Sequence, residues 1–190
     1  MIGNDIIDLQ ETMRTTNWKR SGFLKKIFTE KEQHIIAVSD NSFLIVWQLW
    51  SMKESAYKVF IQAGGKPFYN PRRLECSLKS GYSEVSIESI ILKTETISNT
   101  DYIFSVAKKQ DDEVKNGVFN LAGMTTEKQS ALLKQEFIKD FSVENGLNVE
   151  ALSIRKSGAG VPRLFDKDTD LDISFSLSHH GKYASYSILN

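Results

Sequence analysis

Residues 43–63 of the chain, FLIVWQLWSMKESAYKVFIQA, determine how the rest of the sequence is interpreted. This stretch contains neither proline nor glycine, and the glycine pair at 64–65 ends it. The cap-forming residues Asp-Asn-Ser precede it at positions 40–42. Such side chains satisfy free backbone amides at a helix start, and glycine favours a helix end. The pattern therefore predicts a single long helix over residues 43–63.

Four side chains of this helix recur at spacings of three and four residues and so share one face: Trp50, Glu54, Tyr57 and Lys58. Glu54 precedes Lys58 by four residues, the favourable direction for an ion pair on a helix. A solvated charged face would account for these residues. So would a site in which Glu54 binds metal or acts as a base while Lys53 and Lys58 contact phosphate. The helix alone leaves both interpretations open.

Two further helices are predicted on either side of a β-rich region. Thr29 and Glu32 have the spacing of a capping box, in which hydroxyl and carboxylate satisfy backbone amides at a helix start. A helix should therefore span about residues 30–38. Residues 126–141 carry an apolar stripe at helical spacing and are followed by Asn-Gly at 145–146, which predicts another helix.

Strands are predicted at both ends of the chain and in its middle. Loose alternation indicates a strand over residues 2–9 that ends in a polar turn. Alternating runs over residues 74–121, separated by turn residues such as Ser-Gly at 80–81, indicate antiparallel strands. Runs over residues 172–178 and 183–188 predict a hairpin with two histidines at its tip. Together the elements predict an α+β fold.

The composition argues against several broad classes of protein. The chain has 190 residues with 24 basic and 24 acidic side chains, whereas a non-specific nucleic-acid binder needs an excess of Lys and Arg. Its most apolar run, residues 43–50, is far shorter than the roughly 20 residues that span a bilayer. Cys76 is the only cysteine, so no intrachain disulfide can form. Because the N-terminus carries acid rather than the positive charge of a secretory signal, we expect a cytoplasmic protein with one domain, residues 1–190.

Two more short motifs carry side chains suited to phosphate chemistry. In Gly3-Asn4-Asp5, glycine permits a close backbone approach and the carboxylate is a hard ligand for Mg²⁺, although an ordinary strand end could have the same sequence. Ser178 and His179 could donate to phosphate oxygens or simply lie exposed in a turn. They make a poor hydrolase pair, because adjacent residues on a strand point to opposite faces. No Gly-x-Ser-x-Gly elbow or Walker-type loop occurs in the sequence.

The order of these motifs resembles the 4′-phosphopantetheinyl transferase superfamily. The stretches that carry the resemblance are GNDIIDL at 3–9, FLKKIFTEKE at 23–32, WSMKESAYK at 50–58, and FSLSH at 175–179 followed by Tyr-Ala at 183–184. A Gly-x-Asp motif near the N-terminus and a Ser-His motif near the C-terminus are similar to the small holo-acyl-carrier-protein synthases. In the larger, surfactin-synthetase-type enzymes the Ser-His motif comes first.

The resemblance implies transfer of the 4′-phosphopantetheine arm from coenzyme A (CoA) to a serine of an apo acyl or peptidyl carrier protein, with release of adenosine 3′,5′-bisphosphate. It implies Asp5, Glu54 and Lys58 as catalytic residues. Asp5 and Glu54 would hold Mg²⁺ against the pyrophosphate of CoA, and Glu54 would also be the base for the acceptor serine. Lipid, polyketide, peptide and pigment pathways would all supply such a carrier, so the pathway stays open.

The implied CoA-binding residues are Lys53, Lys58, Ser178 and His179, the last two on the adenosine 3′-phosphate. One position departs from the family pattern here. The Gly-Lys-Pro motif often seen before the Ser-His motif has Val161 in place of its lysine. The candidates to replace that lysine are Arg163 and Lys156.

Another departure concerns the acids near the N-terminus. Surfactin-type enzymes carry a second acid two residues after the Gly-x-Asp aspartate, but that position is Ile7 here. A third metal ligand must therefore be water or another group. Asp8 instead occupies the acidic position found in the small synthases.

The resemblance covers roughly residues 1–65 and 149–190. Residues 66–148 match the small synthases poorly, and we expect them to be a β-rich and helical insertion or elaboration within the single domain. The expected architecture is a 4′-phosphopantetheinyl transferase-like α+β fold, with an antiparallel sheet packed against the long helix. Because small synthases build their active site between protomers, the sequence leaves a homo-oligomer open.

A cluster of basic residues follows the first motif: Arg14, Lys19, Arg20, Lys25 and Lys26. Such a cluster could steer an acidic carrier protein, or it could be a solvated helix face balanced by the charges at 30–32. Two other functions also stay open. The chain could be a catalytically degenerate relative that binds CoA as a scaffold or sensor. It could also be a Mg²⁺-dependent nucleotide phosphohydrolase, which would need a further carboxylate, with Asp8 the obvious candidate.

Overall fold

The computed structural model describes residues 1–80, 82–109 and 113–189. Its α-helices are α1 (Leu9–Thr15), α2 (Phe23–Ile27), α3 (Glu30–Val38), α4 (Ser42–Gln62) and α5 (Thr126–Asn145). Its strands are β1 (Ile2–Asp8), β2 (Leu74–Lys79), β3 (Tyr82–Ile87), β4 (Ile90–Ser98), β5 (Tyr102–Lys108), β6 (Val114–Asn120), β7 (Leu152–Lys156), β8 (Pro162–Asp166), β9 (Thr169–Asp170), β10 (Phe175–His180) and β11 (Tyr183–Leu189). Short 3₁₀ turns lie at Pro71–Arg73 and Val149–Ala151.

The largest sheet joins the N-terminal strand to the middle of the chain. Its order is β1-β5-β4-β3-β2, and all neighbouring strands are antiparallel. The long helix α4 packs across this sheet and buries Leu49, Met52 and Ala56 completely. Burying a leucine or methionine side chain contributes about 1.5–3 kcal/mol. This core therefore fixes α4 against β1, and the expected α+β fold with a sheet packed on a long helix is confirmed.

The C-terminal residues build a second set of sheets. β10 and β11 form the expected hairpin, and β6 pairs with β11. β7, β8 and β9 form a small sheet of their own. α5 packs on the hairpin through Phe137, whose ring stacks on Phe175 with the ring centroids 4.5 Å apart. The hairpin is thus held between α5 and β1.

The predicted helices are confirmed, with small changes at their ends. α4 begins one residue earlier than expected and is capped by the side chain of Asn41. The capping box formed by Thr29 and Glu32 is present. α5 continues four residues beyond the expected end, because its chain turns only at Gly146, which adopts a left-handed conformation with φ of +64°.

Two expectations at strand ends are wrong. β1 does not end in a polar turn, because the Asp8 side chain accepts hydrogen bonds from the next free amides and so caps α1 directly. The histidines are not at the hairpin tip, because β10 begins at Phe175 and continues through His180. The turn consists of Gly181 and Lys182 alone, and the φ of +57° at Gly181 meets the geometry of a two-residue turn.

The middle region, residues 66–148, is part of the same sheets as the chain ends. β5 pairs with β1, and β6 pairs with β11. Its status as an insertion relative to the small synthases stays a prediction. The turn expected at 80–81 includes Gly81, which lies outside the described residues. No helix within those residues combines the length and the apolar composition that crossing a membrane requires.

Candidate active site

Gly3 allows β1 to lie directly against α4. A Cβ atom at position 3 would fall 2.0 Å from the Ser55 carbonyl oxygen and 3.0 Å from Lys58 Cβ. Glycine has no side chain and so permits this approach. The contact brings Asp5, two residues further along β1, beside the part of α4 that carries Glu54 and Lys58.

Three motifs that are distant in sequence meet at the Asp5 carboxylate. Lys58 Nζ lies 3.8 Å from Asp5 Oδ1 and donates a hydrogen bond to the Asn4 carbonyl oxygen at 2.6 Å. The Ser178 hydroxyl donates to Asp5 Oδ1 at 3.0 Å. Lys58 Nζ also reaches the Leu177 carbonyl oxygen at 3.4 Å. The structure thus brings together Asp5, Lys58 and Ser178 as the sequence predicted.

The ionisation of these groups is strongly altered by the fold. Burial, and then the negative charge of Asp5, raise the pKa of Glu54 from 4.5 to about 7, although Lys58 opposes this shift. Burial likewise raises the pKa of Asp5 against the opposing charge of Lys58. Burial lowers the pKa of Lys58 despite the attraction of both carboxylates. Perturbed titratable groups gathered in one place are typical of functional sites.

Asp5 and Glu54 offer the oxygen donors that a divalent cation such as Mg²⁺ prefers. In phosphate-processing sites Mg²⁺ is usually held by one or two carboxylates and completes its shell with water and substrate oxygens. The described parts of the chain, 1–80, 82–109 and 113–189, contain no group of three or more His, Cys, Asp or Glu side chains placed for a metal ion. The repulsion between Asp5 and Glu54, which contributes to the raised pKa of Glu54, would be relieved by a cation. The residues present therefore fit a site of two carboxylates.

A cavity of about 430 Å³ opens beside Lys58, between α4, α5 and the loop that joins β7 to β8. Much of its wall is apolar, with contributions from Tyr57, Ile61, Leu133, Ile154, Val161 and Leu177. Its basic groups are Lys58, Lys134, Lys156 and His179, and no acidic side chain lines it among the residues that the structure describes. Such a wall suits a ligand with an apolar body and several negative charges.

Lys53, which the sequence placed among the CoA-binding residues, is turned into the core instead. The residue is only 1% exposed, and its Nζ lies 2.7 Å from Glu32 Oε2. Its other acceptors are the backbone carbonyl oxygens of Ile27, Pro71 and Leu74. Adjacent residues on a helix are about 100° apart, so Lys53 faces away from the side chain of Glu54. The expectation that Lys53 binds CoA is therefore corrected.

The Ser-His motif is divided between two environments. Ser178 is 8% exposed, and it is not among the residues that line the cavity. His179 lines both the cavity and a second, polar cleft beside α1. Burial, followed by the charges of Lys58 and His180, lowers the pKa of His179. Of the two motif residues, His179 is the one that faces open space.

The cavity also identifies basic residues that the motifs did not settle. Arg163 is paired with two aspartates, Asp170 and Asp172, whereas Lys156 lines the cavity. Lys134 of α5 was not predicted at all. It follows the buried Leu133 in sequence and so lies at the edge of the apolar stripe, a signal that could have suggested it.

Comparison with known proteins identifies the family of this chain. The family model described as ACPS, 4′-phosphopantetheinyl transferase superfamily, matches residues 1–107, which is more than half of the 190-residue chain. The chain belongs to the 4′-phosphopantetheinyl transferase superfamily. A solved structure, the holo-[acyl-carrier-protein] synthase of Thermotoga maritima, is 10% identical, with 90% of this chain and 84% of that chain covered at a TM-score of 0.44. No curated protein sequence matches this chain.

The family match confirms the resemblance inferred from the motifs and identifies the chain as a phosphopantetheinyl transferase at the level of the superfamily. It includes Asp5, Glu54 and Lys58, and it extends into the middle region as far as β5. Ser178 and His179 lie outside it. Any role for those two residues rests on their geometry.

Proposed function

We propose that this chain transfers the 4′-phosphopantetheine arm of CoA to a serine of an apo acyl or peptidyl carrier protein, in the manner of a holo-acyl-carrier-protein synthase. The observation that carries this proposal is the meeting of Asp5, Glu54 and Lys58 beside a cavity whose charged lining residues are all basic. The serine oxygen forms a bond to the β-phosphorus of CoA. The bond from that phosphorus to the bridging oxygen breaks, and adenosine 3′,5′-bisphosphate leaves.

Glu54 is the proposed base for the acceptor serine. Its carboxylate lies in the electrostatic field of Asp5 and Lys58, close to the proposed position of the pyrophosphate, and can accept a proton directly or through water. Lys58 lies beside Asp5 at the rim of the cavity, where its ammonium can contact the pyrophosphate as a point charge. Mg²⁺, held by Asp5 and Glu54, would neutralise charge on the attacked phosphate and on the leaving group.

The cavity is the proposed site for the nucleotide part of CoA. Its apolar wall can cover the adenosine, and its basic groups can contact the phosphates. Lys156 takes the place of the lysine that Val161 removes from the Gly-Lys-Pro motif. Lys134 supports it from α5, and His179 is the proposed contact for the 3′-phosphate.

The surface after β1 is the proposed docking site for the carrier. Its five basic side chains are all exposed, namely Arg14, Lys19, Arg20, Lys25 and Lys26. Glu11 is the only acid within residues 9–27, and Met13 adds an apolar side chain that is 69% exposed. An acidic carrier helix is complementary to such a surface. We place the reaction in the cytoplasm, with neither nucleic acid nor membrane as a partner.

Charge reversal tests this docking surface. The K25E/K26E protein should bind apo carrier at least about tenfold more weakly, because two attractive contacts become repulsive, while its CoA affinity is unchanged. The matched control is K109E/K139E, which makes the same charge change at exposed lysines outside α1 and α2. Carrier titrations by calorimetry measure the effect. Equal losses in the two proteins would refute a specific docking surface.

Intact-mass analysis tests the proposed reaction across carriers. Several apo carrier proteins are incubated separately with the protein, CoA and Mg²⁺. A mass gain of one phosphopantetheine on a carrier supports the proposal and begins to identify the pathway. CoA binding without a gain on any carrier would favour the alternative of a CoA-binding scaffold or sensor.

The alternative function, a nucleotide phosphohydrolase, would require Asp8 as a third carboxylate ligand for Mg²⁺. Asp8 accepts hydrogen bonds from the Gln10 and Glu11 amides through Oδ1 and from the Lys182 amide through Oδ2, and the residue is 3% exposed. Its oxygens are committed to capping α1 and closing the hairpin turn. Asp8 therefore argues against a three-carboxylate metal site.

A further inference from the structure

β1 and β10 are joined by a row of hydrogen bonds from backbone amides to side chains. Each bond links a residue of β1 to the residue 172 positions later. The four bonds are Ile2 amide to Ser174 Oγ at 3.1 Å, Asn4 amide to Ser176 Oγ at 3.0 Å, Ile6 amide to Ser178 Oγ at 3.4 Å, and Asp8 amide to His180 Nδ1 at 3.0 Å. We call this row, formed by Ser174, Ser176, Ser178 and His180, the side-chain ladder.

The side-chain ladder replaces backbone pairing on one edge of β1. One edge of β1 is paired with β5, whereas the backbone of β10 is paired with β11. The remaining amides of β1 are buried and would be costly to leave without acceptors. Ser176 and Ser178, which are 2% and 8% exposed, supply those acceptors from within the protein.

The constant separation of 172 residues means that the two strands run in the same direction in a fixed register. The sequence of β10 alternates, so that serines face β1 while Phe175 and Leu177 face the other way. A slip by one residue would place Phe175 and Leu177 opposite two of these amides of β1. That arrangement would leave those two amides without acceptors, so the alternation excludes a shift by one residue, whereas a shift by two would separate Ser178 from Asp5.

Ser178 differs from the other residues of the side-chain ladder because its hydroxyl also contacts the Asp5 carboxylate. Its hydroxyl hydrogen is donated to Asp5 Oδ1 at 3.0 Å, and its oxygen accepts from the Ile6 amide. A hydroxyl has one proton to donate. That proton is already used within the protein and is not offered to a phosphate oxygen of a ligand.

We propose that the side-chain ladder sets the register between β1 and β10, and that Ser178 is a positioning residue for Asp5 rather than a contact for the 3′-phosphate of CoA. The ladder thereby fixes Asp5 of the N-terminal sheet relative to His179 of the C-terminal hairpin. The second part of the proposal rests on the proposed function, since it assumes that CoA is the ligand. It reassigns the role that the family resemblance gave to Ser178.

Amide hydrogen exchange tests the ladder itself and requires no ligand. Ser176→Ala should speed exchange of the Asn4 amide, and Ser178→Ala that of the Ile6 amide, each by about tenfold, because each removes one acceptor. The matched control is Ser187→Ala. Ser187 is also fully buried and hydrogen bonded, but to Asn116 on the far side of β11. Unchanged exchange at Asn4 and Ile6, or equal acceleration in the control, would overturn the ladder.

Ligand discrimination tests the role of Ser178. Binding of CoA is compared with binding of dephospho-CoA, which lacks the 3′-phosphate, and transfer kinetics are measured with CoA. A positioning role predicts that Ser178→Ala lowers kcat by about tenfold or more, with the ratio of the two affinities unchanged. Ser178→Thr, which keeps the hydroxyl, should restore most of kcat. A loss of affinity confined to CoA would overturn the proposal.

The two experiments, hydrogen exchange and ligand discrimination, distinguish a failure of this proposal from a failure of the proposed function. If the unaltered protein neither binds CoA nor modifies any carrier, the proposed function fails, and hydrogen exchange alone then supports or overturns the ladder. If the unaltered protein is active, both experiments test the proposal. Full activity of Ser178→Ala would overturn the positioning role.

Discussion

At the scale of single residues, Glu54 is the group whose proposed role conflicts most clearly with the stability of the protein. Its pKa rises from 4.5 to about 7 because burial and Asp5 both disfavour the charged form. The folded protein therefore holds this proton more tightly than the unfolded chain. The resulting stabilisation is fully present below about pH 4.5 and is lost as the pH rises towards 7.

Glu54→Gln should therefore stabilise the protein at alkaline pH while abolishing transfer. A neutral amide avoids the burial of a charge, so we expect a gain of about 1–3 kcal/mol in unfolding free energy near pH 8. No such gain is expected near pH 4, where the wild-type carboxyl is already protonated. Urea unfolding at both pH values, with a chelator present, measures the difference. A variant less stable than wild type at pH 8 would contradict this account of Glu54.

At the scale of elements, the buried ion pair of Lys53 and Glu32 joins α4 to α3. Glu32 is fully buried, and its carboxylate also accepts hydrogen bonds from the Thr29 and Cys76 amides at 2.7 Å each. The pair therefore ties α3, α4 and β2 together around a single carboxylate. Removing one partner of a buried pair leaves an uncompensated charge.

Lys53→Met should destabilise the protein by about 3–5 kcal/mol, and the double variant with Glu32→Gln should recover part of that loss. The matched control is Lys31→Met, which breaks an exposed pair with Glu75 and should cost less than about 1 kcal/mol. Denaturant unfolding of the four proteins provides the comparison. A loss at Lys53 no larger than at Lys31 would show that the buried pair contributes little.

The approach of β1 to α4 gives a second prediction at this scale. Gly3→Ala places a methyl group 2.0 Å from the Ser55 carbonyl oxygen, so the strand must shift and carry Asp5 with it. We expect a loss of about 1–3 kcal/mol in stability together with reduced transfer. Gly158→Ala is the control, because nothing lies within 4 Å of its added Cβ. If both variants were equally stable and active, the close approach would not matter.

Elements with local signals could be predicted from sequence. The Thr29 capping box, the cap at residues 40–42 and the glycine after α5 each mark a helix end through chemistry contained in a few residues. The direction of Lys53 could not be predicted, because its partner Glu32 is distant in the chain. The side-chain ladder could not be predicted either. The alternation of serines in β10 is visible in the sequence, but their contact with β1 is known only from the fold.

The residues that meet at the candidate site were easier to predict from sequence than the residues that line the neighbouring cavity. Asp5, Glu54 and Lys58 could be identified because each lies in a short motif of recognisable order. Lys134 was missed, because the one local signal for it is its position at the edge of the apolar stripe of α5. The alternation of Ser178 and His179 was visible, yet which of them faces the cavity depends on packing between β1 and β10.

In the molecule as a whole, residues from both ends of one chain meet at the candidate site. Asp5 of β1 and Ser178 of β10 are hydrogen bonded within a single chain, and Lys134 and Lys156 line the same cavity as Lys58. We propose that this site works within one chain. We therefore predict that the transfer rate per chain is independent of protein concentration. Activity that falls on dilution, together with dissociation in sedimentation, would indicate a site shared between protomers.

Measuring both products of a single reaction over time is the decisive test of the proposed transfer. Apo carrier, CoA and Mg²⁺ are incubated with the protein, and modified carrier and adenosine 3′,5′-bisphosphate are quantified in the same samples. If the chain is a phosphopantetheinyl transferase, the two products appear in equal amounts and Glu54→Gln abolishes both. Release of the bisphosphate without carrier modification would contradict the account and indicate hydrolysis. CoA binding with neither product, on every carrier that is tested, would contradict it as well.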